Sequence, residues 1–97
     1  MSTLHVLSHS PFGDDRLSSC LRVIGANDAL LLSGDAAYAL QPGTAPFSAL
    51  NDRSLALYVL AEDAQARAIE IPDWAKAIDY PAFVELSIHH DKVNSWL

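Results

Sequence analysis

The chain reads as an α/β protein, a layered α/β/α sandwich on a mainly parallel sheet of about four strands. Three observations predict this. Short apolar runs alternate with helical patterns along the sequence. Two of those runs, residues 29–32 and 55–60, are continuous rather than alternating, which suits strands covered on both faces of a parallel sheet. Strand followed by helix, four times over, implies right-handed crossovers with helices on both faces, but leaves strand order open.

Thr3–Leu7 forms the first strand and ends in Ser8-His9-Ser10-Pro11, where Pro11 and Gly13 punctuate a turn. This opening segment is read as a buried edge of the sheet. Asp14 or Asp15 then caps a helix over residues 15–24, because a short carboxylate accepts the orphan amides of a first turn. Leu17, Cys20, Leu21 and Ile24 recur at i, i+3, i+4 and i+7 and mark its buried face; Gly25 and Asn27 stop it. Residues 28–33 hold the second strand. Gly34-Asp35 turns the chain into a short Ala-rich helix over residues 36–40, which Pro42, Gly43 and Pro46 break. Residues 47–52 read as irregular or as one helical turn.

Residues 54–60 make the best strand in the sequence, with a fully buried pattern. Glu62 and Asp63 sit in the first turn of the next helix, where the dipole favours acids, and that helix ends near Ile69. Residues 71–74 connect to a weak strand over 77–79. Tyr80-Pro81 starts the last helix, with Pro81 in the first helical position, and the helix continues towards His89 and His90. Residues 91–97 read as a tail ending in Trp96-Leu97.

Ninety-seven residues make a single domain, expected to span residues 1–97, near the lower end of comfortable independent stability. The hydrophobic fraction of 51% is rich for so short a chain, and surplus apolar surface on a small domain points to a subunit interface. The net charge of −6, with six Lys and Arg dispersed along the chain, provides no basic face, so direct nucleic-acid binding is not expected. The single cysteine excludes an internal disulfide and a CxxC zinc site and fits a reducing compartment. No secretory signal pattern opens the sequence and no apolar run could span a bilayer, so the cytoplasm is the expected location and no membrane partner is expected.

Motifs for phosphate or dinucleotide binding, serine hydrolysis and zinc proteolysis are absent. Cys20 is the only thiol. It is a candidate persulfide carrier, with Arg16 and Arg22 near enough in sequence to favour a thiolate, or a small core residue on the apolar helix face; the spacing favours the core. His5, His9, His89 and His90 lack the spacing of a metal site, and neither a metal nor a cofactor is expected. His5 reads as a satisfied strand histidine. Asp79 lies where α/β proteins place functional groups, but its simpler role is the cap of the last helix. Trp74 and Trp96 either finish the core or anchor an interface.

Leu4-His5-Val6-Leu7 with Ser10-Pro11-Phe12 resembles the start of the DsrH/TusB family. Asp28-Ala29-Leu30-Leu31-Leu32, then Tyr58-Val59-Leu60-Ala61-Glu62-Asp63 with Ala66-Arg67, resemble its second and third strands. Ile78-Asp79-Tyr80, Phe83-Val84, Leu86, His90 and Trp96 resemble its C-terminal part. The matches run in order over nearly the whole chain. The resemblance implies a DsrEFH-like fold and assembly with TusC/DsrF-like and TusD/DsrE-like subunits as a dimer of heterotrimers. Such a complex passes persulfide sulfur to a TusE/DsrC-like carrier, towards 2-thiouridine at the tRNA wobble position in the Tus branch or towards sulfur oxidation in the Dsr branch. The family's principal acceptor cysteine belongs to the TusD/DsrE-like subunit. Some DsrH-type members carry a cysteine in the first helix, in the place of Cys20, so the resemblance sets a secondary thiol role level with packing.

Overall fold

Residues 2–96 are described by a computed structural model. The elements run β1 (Thr3–Leu7), α1 (Arg16–Val23), β2 (Ala29–Leu32), a 3₁₀ helix (Gly34–Leu40), α2 (Ala45–Asn51), β3 (Ala56–Leu60), α3 (Ala61–Ala66), β4 (Lys76–Ile78), α4 (Tyr80–His89) and β5 (Lys92–Trp96). All strand pairs are parallel, in the order β4-β3-β2-β1-β5.

That order explains how the two faces are covered. From β1 to β4 the chain steps across the sheet in one direction. Right-handed crossovers therefore place α1, the 3₁₀ helix, α2 and α3 on one face. From β4 the chain returns across the whole sheet to β5, and the same handedness puts α4 on the other face. The first face buries Leu7, Leu30, Leu32, Leu57 and Val59 with Leu17, Cys20 and Leu21 of α1 and the alanines of the 3₁₀ helix. The second buries only Leu4, Ala29, Leu31 and Ile78, against Ala82, Phe83 and Leu86 of α4. No residue of α4 is itself fully buried.

The structure corrects several expectations. The sheet has five strands, not about four, because residues 92–96 are no tail. They pair with β1 from Thr3↔Lys92 to Leu7↔Trp96, so β1 is an interior strand and not an edge. Leu97 lies outside the described residues. Residues 45–51 form a true α-helix: Thr44 accepts a hydrogen bond from the Phe47 amide at its N-terminus, and Pro46 occupies the first turn, where a missing N–H costs nothing. The Ala-rich segment winds as 3₁₀ and buries Ala36, Ala37, Ala39 and Leu40 in the first-face core.

Helix α3 stops at Ala66 rather than near Ile69. The amide of Ile69 bonds the Ala64 carbonyl and that of Ala68 the Gln65 carbonyl, with Ala68 at φ 54°. These two bonds are a Schellman stop with alanine in the left-handed position that glycine usually fills. In β3 only Leu57 and Val59 are buried, while Tyr58 and Leu60 are half-buried, since α4 alone covers their face.

Candidate functional site

Cys20 is fully buried in the first-face core. Burial pushes its thiol up to about 11, and the negative charge of Asp28 adds to the rise. The opposing cation is Arg53, not either arginine of α1. Arg53 donates to the Leu21 carbonyl at 2.7 Å, capping the last turn of α1 from the connection between α2 and β3. Arg16 is paired with Asp14, and Arg22 is exposed. Asp14 also accepts from the Arg16 amide at 3.0 Å, and that bond holds its carboxyl below the usual range.

Beside Cys20 runs a chain of three polar side chains. Trp96 Nε1 donates to His5 Nδ1 at 3.1 Å. Indole nitrogen can only donate, so Nδ1 carries no proton, and His5 Nε2–H donates to Asp28 Oδ2 at 3.1 Å. Asp28 also accepts the Gly25 amide at 2.8 Å and the Thr3 amide at 2.9 Å. The Gly25 bond is the main cause of its lowered pKa, with His5 and Thr3 contributing. His5 is thus the satisfied strand histidine that its position predicted. Its two partners stand 23 and 91 residues away, and no local signal marks Asp28 as the hub.

A cavity of about 420 Å³ opens at the carboxyl ends of β1 to β4, on the α4 side. Parallel α/β sheets place ligand crevices at that end. Val6, Leu31, Leu60 and Ile78 form its floor and Phe83 one wall. Glu62, Asp63 and Asp79 line the mouth; among the described residues no Lys or Arg lines it, although Arg67 pairs with Asp63 at 3.9 Å. Asp79 is the cap of α4, accepting from the Ala82 amide at 2.9 Å. Asp63 accepts the Gly34 amide at 2.8 Å, which ties α3 to the start of the 3₁₀ helix. Tyr80 stacks on Phe83, ring centroids 5.6 Å apart and ring planes nearly parallel. The sequence supplied Asp79 but not the cavity, because its floor comes from four separate strands.

The other candidates are dispersed. His9 is exposed beside Ser8, His89 is exposed, and His90 Nδ1 bonds the Leu86 carbonyl at 2.9 Å. Among the described residues no three His, Cys, Asp or Glu side chains gather as metal ligands would. Trp74 meets Phe47 edge-on at 5.2 Å and packs, like Trp96, against the first-face core. Among the described residues no helix is long and apolar enough to cross a membrane.

Known proteins share this architecture and this sequence. In fold, the crystal structure of the ychN protein from E. coli matches with a TM-score of 0.73 over 98% of this chain and 99% of its own, at 19% identity. In sequence, Protein TusB of Erwinia tasmaniensis is 38% identical over 95 residues, 96% of this chain and 99% of its own. Protein TusB of Yersinia enterocolitica is 34% identical and that of an Enterobacter species 35%, over the same shares. The family described as DsrH like protein matches residues 9–93. With relatives this similar over nearly full length, the chain belongs to the DsrH-like family.

Proposed function

We propose that this chain is an accessory subunit of a sulfur-relay complex. In this reading it assembles with TusC/DsrF-like and TusD/DsrE-like subunits, and the complex passes persulfide sulfur to a TusE/DsrC-like carrier for 2-thiolation of the tRNA wobble uridine. Family membership supports a sulfur-relay role in tRNA thiolation. The observation that favours an accessory part is the state of the only thiol, Cys20, which is sealed in the core and raised to about 11. A relay hands sulfur from one thiolate to the next, so a subunit whose thiol is neutral and covered contributes through its surfaces. The net charge of −6 likewise favours contact with protein over contact with RNA. Tagged chain purified from its own cell extract is expected to bring down TusC-like and TusD-like subunits, and deletion of its gene to deplete wobble 2-thiouridine. Purification of the chain alone, with thiolation intact in the deletion strain, would sink the proposal.

The competing role for Cys20 is as a persulfide carrier in a Dsr-type sulfur-oxidation pathway. The placement of Cys20 in the first helix, where some DsrH-type members carry a cysteine, favours it. There the Cys20 thiolate attacks the outer sulfur of a donor persulfide, takes that sulfur as Cys–S–SH and releases the donor thiolate. Intact mass after incubation with a small-molecule persulfide, on native chain and on Cys20→Ala, decides it. One added sulfur on the native chain alone supports the carrier role, and no gain removes it.

A further inference from the structure

The two sheet faces are unequally covered, and the excess apolar surface lies on one of them. Six large hydrophobic side chains are exposed among the described residues, and four belong to the α4 face. Tyr80, Val84 and Ile88 recur at i, i+4 and i+8 and so line the outer side of α4, while Ala82, Phe83 and Leu86 line its inner side. Val93 pairs with Leu4 and shares its face. Helix α4 therefore carries an apolar stripe on its outer side as well as on the side it packs, with Glu85 and His89 exposed between the two, and a contiguous exposed apolar stripe marks a surface to be covered.

Two features say what covers it. Tyr80 belongs at once to the stripe and to the wall of the 420 Å³ cavity, so stripe and cavity form one surface. The cavity mouth carries Glu62, Asp63 and Asp79 with no Lys or Arg among its described lining residues; Arg67 pairs with Asp63 from outside the lining, and Glu62 is exposed. A second copy would bring the same acids and the same −6 charge against this edge, which like-charge repulsion opposes.

We infer that the α4 face docks a different protein subunit, one presenting an apolar patch with a Lys or Arg at its margin. An apolar side chain of that subunit enters the cavity beside Phe83, and its basic neighbour meets Glu62. This rests on the accessory-subunit reading above and names the face that serves it.

The test uses full-length chain co-expressed with the related subunits. Val84→Glu and Ile88→Glu place charge on the stripe without touching the core, and Val23→Glu does the same on exposed α1. Melting temperatures of the isolated chains control for folding. Both α4 variants are expected to lose at least tenfold of the co-eluting partner, and Val23→Glu to keep it. Full retention by the α4 variants, or equal loss by Val23→Glu, overturns the assignment of this face. Glu62→Lys is expected to weaken the complex about tenfold, and the wild-type complex to weaken as salt rises; a complex unchanged by both would refute the basic margin. If wild type binds no related subunit, the accessory reading itself fails, and ultracentrifugation of the chain alone follows. A dimer dissolved by Ile88→Glu would make a second copy the occupant, and a monomer at every concentration would leave the face without one; each result overturns the inference.

Discussion

At the scale of single residues, Cys20 and Asp28 carry the sharpest expectations. With a thiol near 11, only about one molecule in a thousand is ionised at pH 8. Iodoacetamide should therefore leave the folded chain unmodified over a period that fully alkylates it in urea, as read by intact mass. Rapid native alkylation would show that Cys20 is more open than its place in the core implies. Asp28 anchors the start of β1, the end of α1 and the His5 ring together. Hydrogen bonds to a charged group are worth about 1.5–3 kcal/mol, so Asp28→Asn should cost about 2 kcal/mol at pH 7 by urea unfolding. Because the folded carboxyl titrates below its unfolded value of about 3.9, this stabilisation is complete above that value. It disappears as pH falls through the lower, folded value. The gap between wild type and Asp28→Asn should thus be full at pH 6 and shrink as pH falls below the ordinary carboxylate range.

At the scale of elements, two turns make opposite demands on glycine. Gly34 adopts φ +51°, and a Cβ there would stand 3.3 Å from the Ser8 carbonyl oxygen. Gly34→Ala should lower stability by about 1–2 kcal/mol, mainly through the left-handed backbone. Ala68 occupies the same region without being glycine, so Ala68→Gly should raise stability by about 1 kcal/mol, visible as a higher melting temperature. A neutral result at Ala68 would mean that the Schellman bonds already repay the backbone cost. The absence of glycine also hid the end of α3 from the sequence. Residues 29–32 and 56–60 announced β2 and β3 through unbroken apolar runs, and the i, i+3, i+4 pattern of Leu17, Cys20 and Leu21 announced α1. Helix α2 escaped because Pro46 reads equally as a breaker and as a first-turn residue. Strand β5 escaped because Lys92-Val93-Asn94-Ser95 is exposed and, Val93 apart, polar, held by backbone pairing to β1 rather than by burial.

At the scale of the whole molecule, the layered parallel architecture was legible because strand and helix patterns alternate four times, but which face each helix takes follows from the crossover rule only once the strand order is known. The candidate site was less legible. Asp79 as a helix cap, His5 as a satisfied strand residue and the first-helix position of Cys20 follow from local pattern. The cavity floor and the Asp28 hub do not, since each gathers side chains from strands and loops far apart in sequence. The unequal covering of the two faces is likewise a property of the assembled sheet. It has a measurable consequence: a dye that fluoresces on apolar surfaces should bind the isolated chain, and binding should fall when Val84 and Ile88 are both changed to Glu. Unchanged dye binding would place the accessible apolar surface elsewhere.

The pairing of β5 with β1 also sets an order of events in folding. Contacts between β1 and β2 close a loop of 26 residues, as Ser33 to Leu7 does, whereas Trp96 meets His5 across 91. Closing the longer loop from the open chain costs about 1 kcal/mol more. The slot beside β1 is therefore expected to fill after β1 and β2 have paired, with the last strand entering as a latch. In a stopped-flow experiment, a variant retaining only Trp96 should report a phase slower than the collapse seen through Trp74. During synthesis β5 is the last strand to be made, so the edge of β1 that it covers is open to pairing with a neighbouring molecule until then.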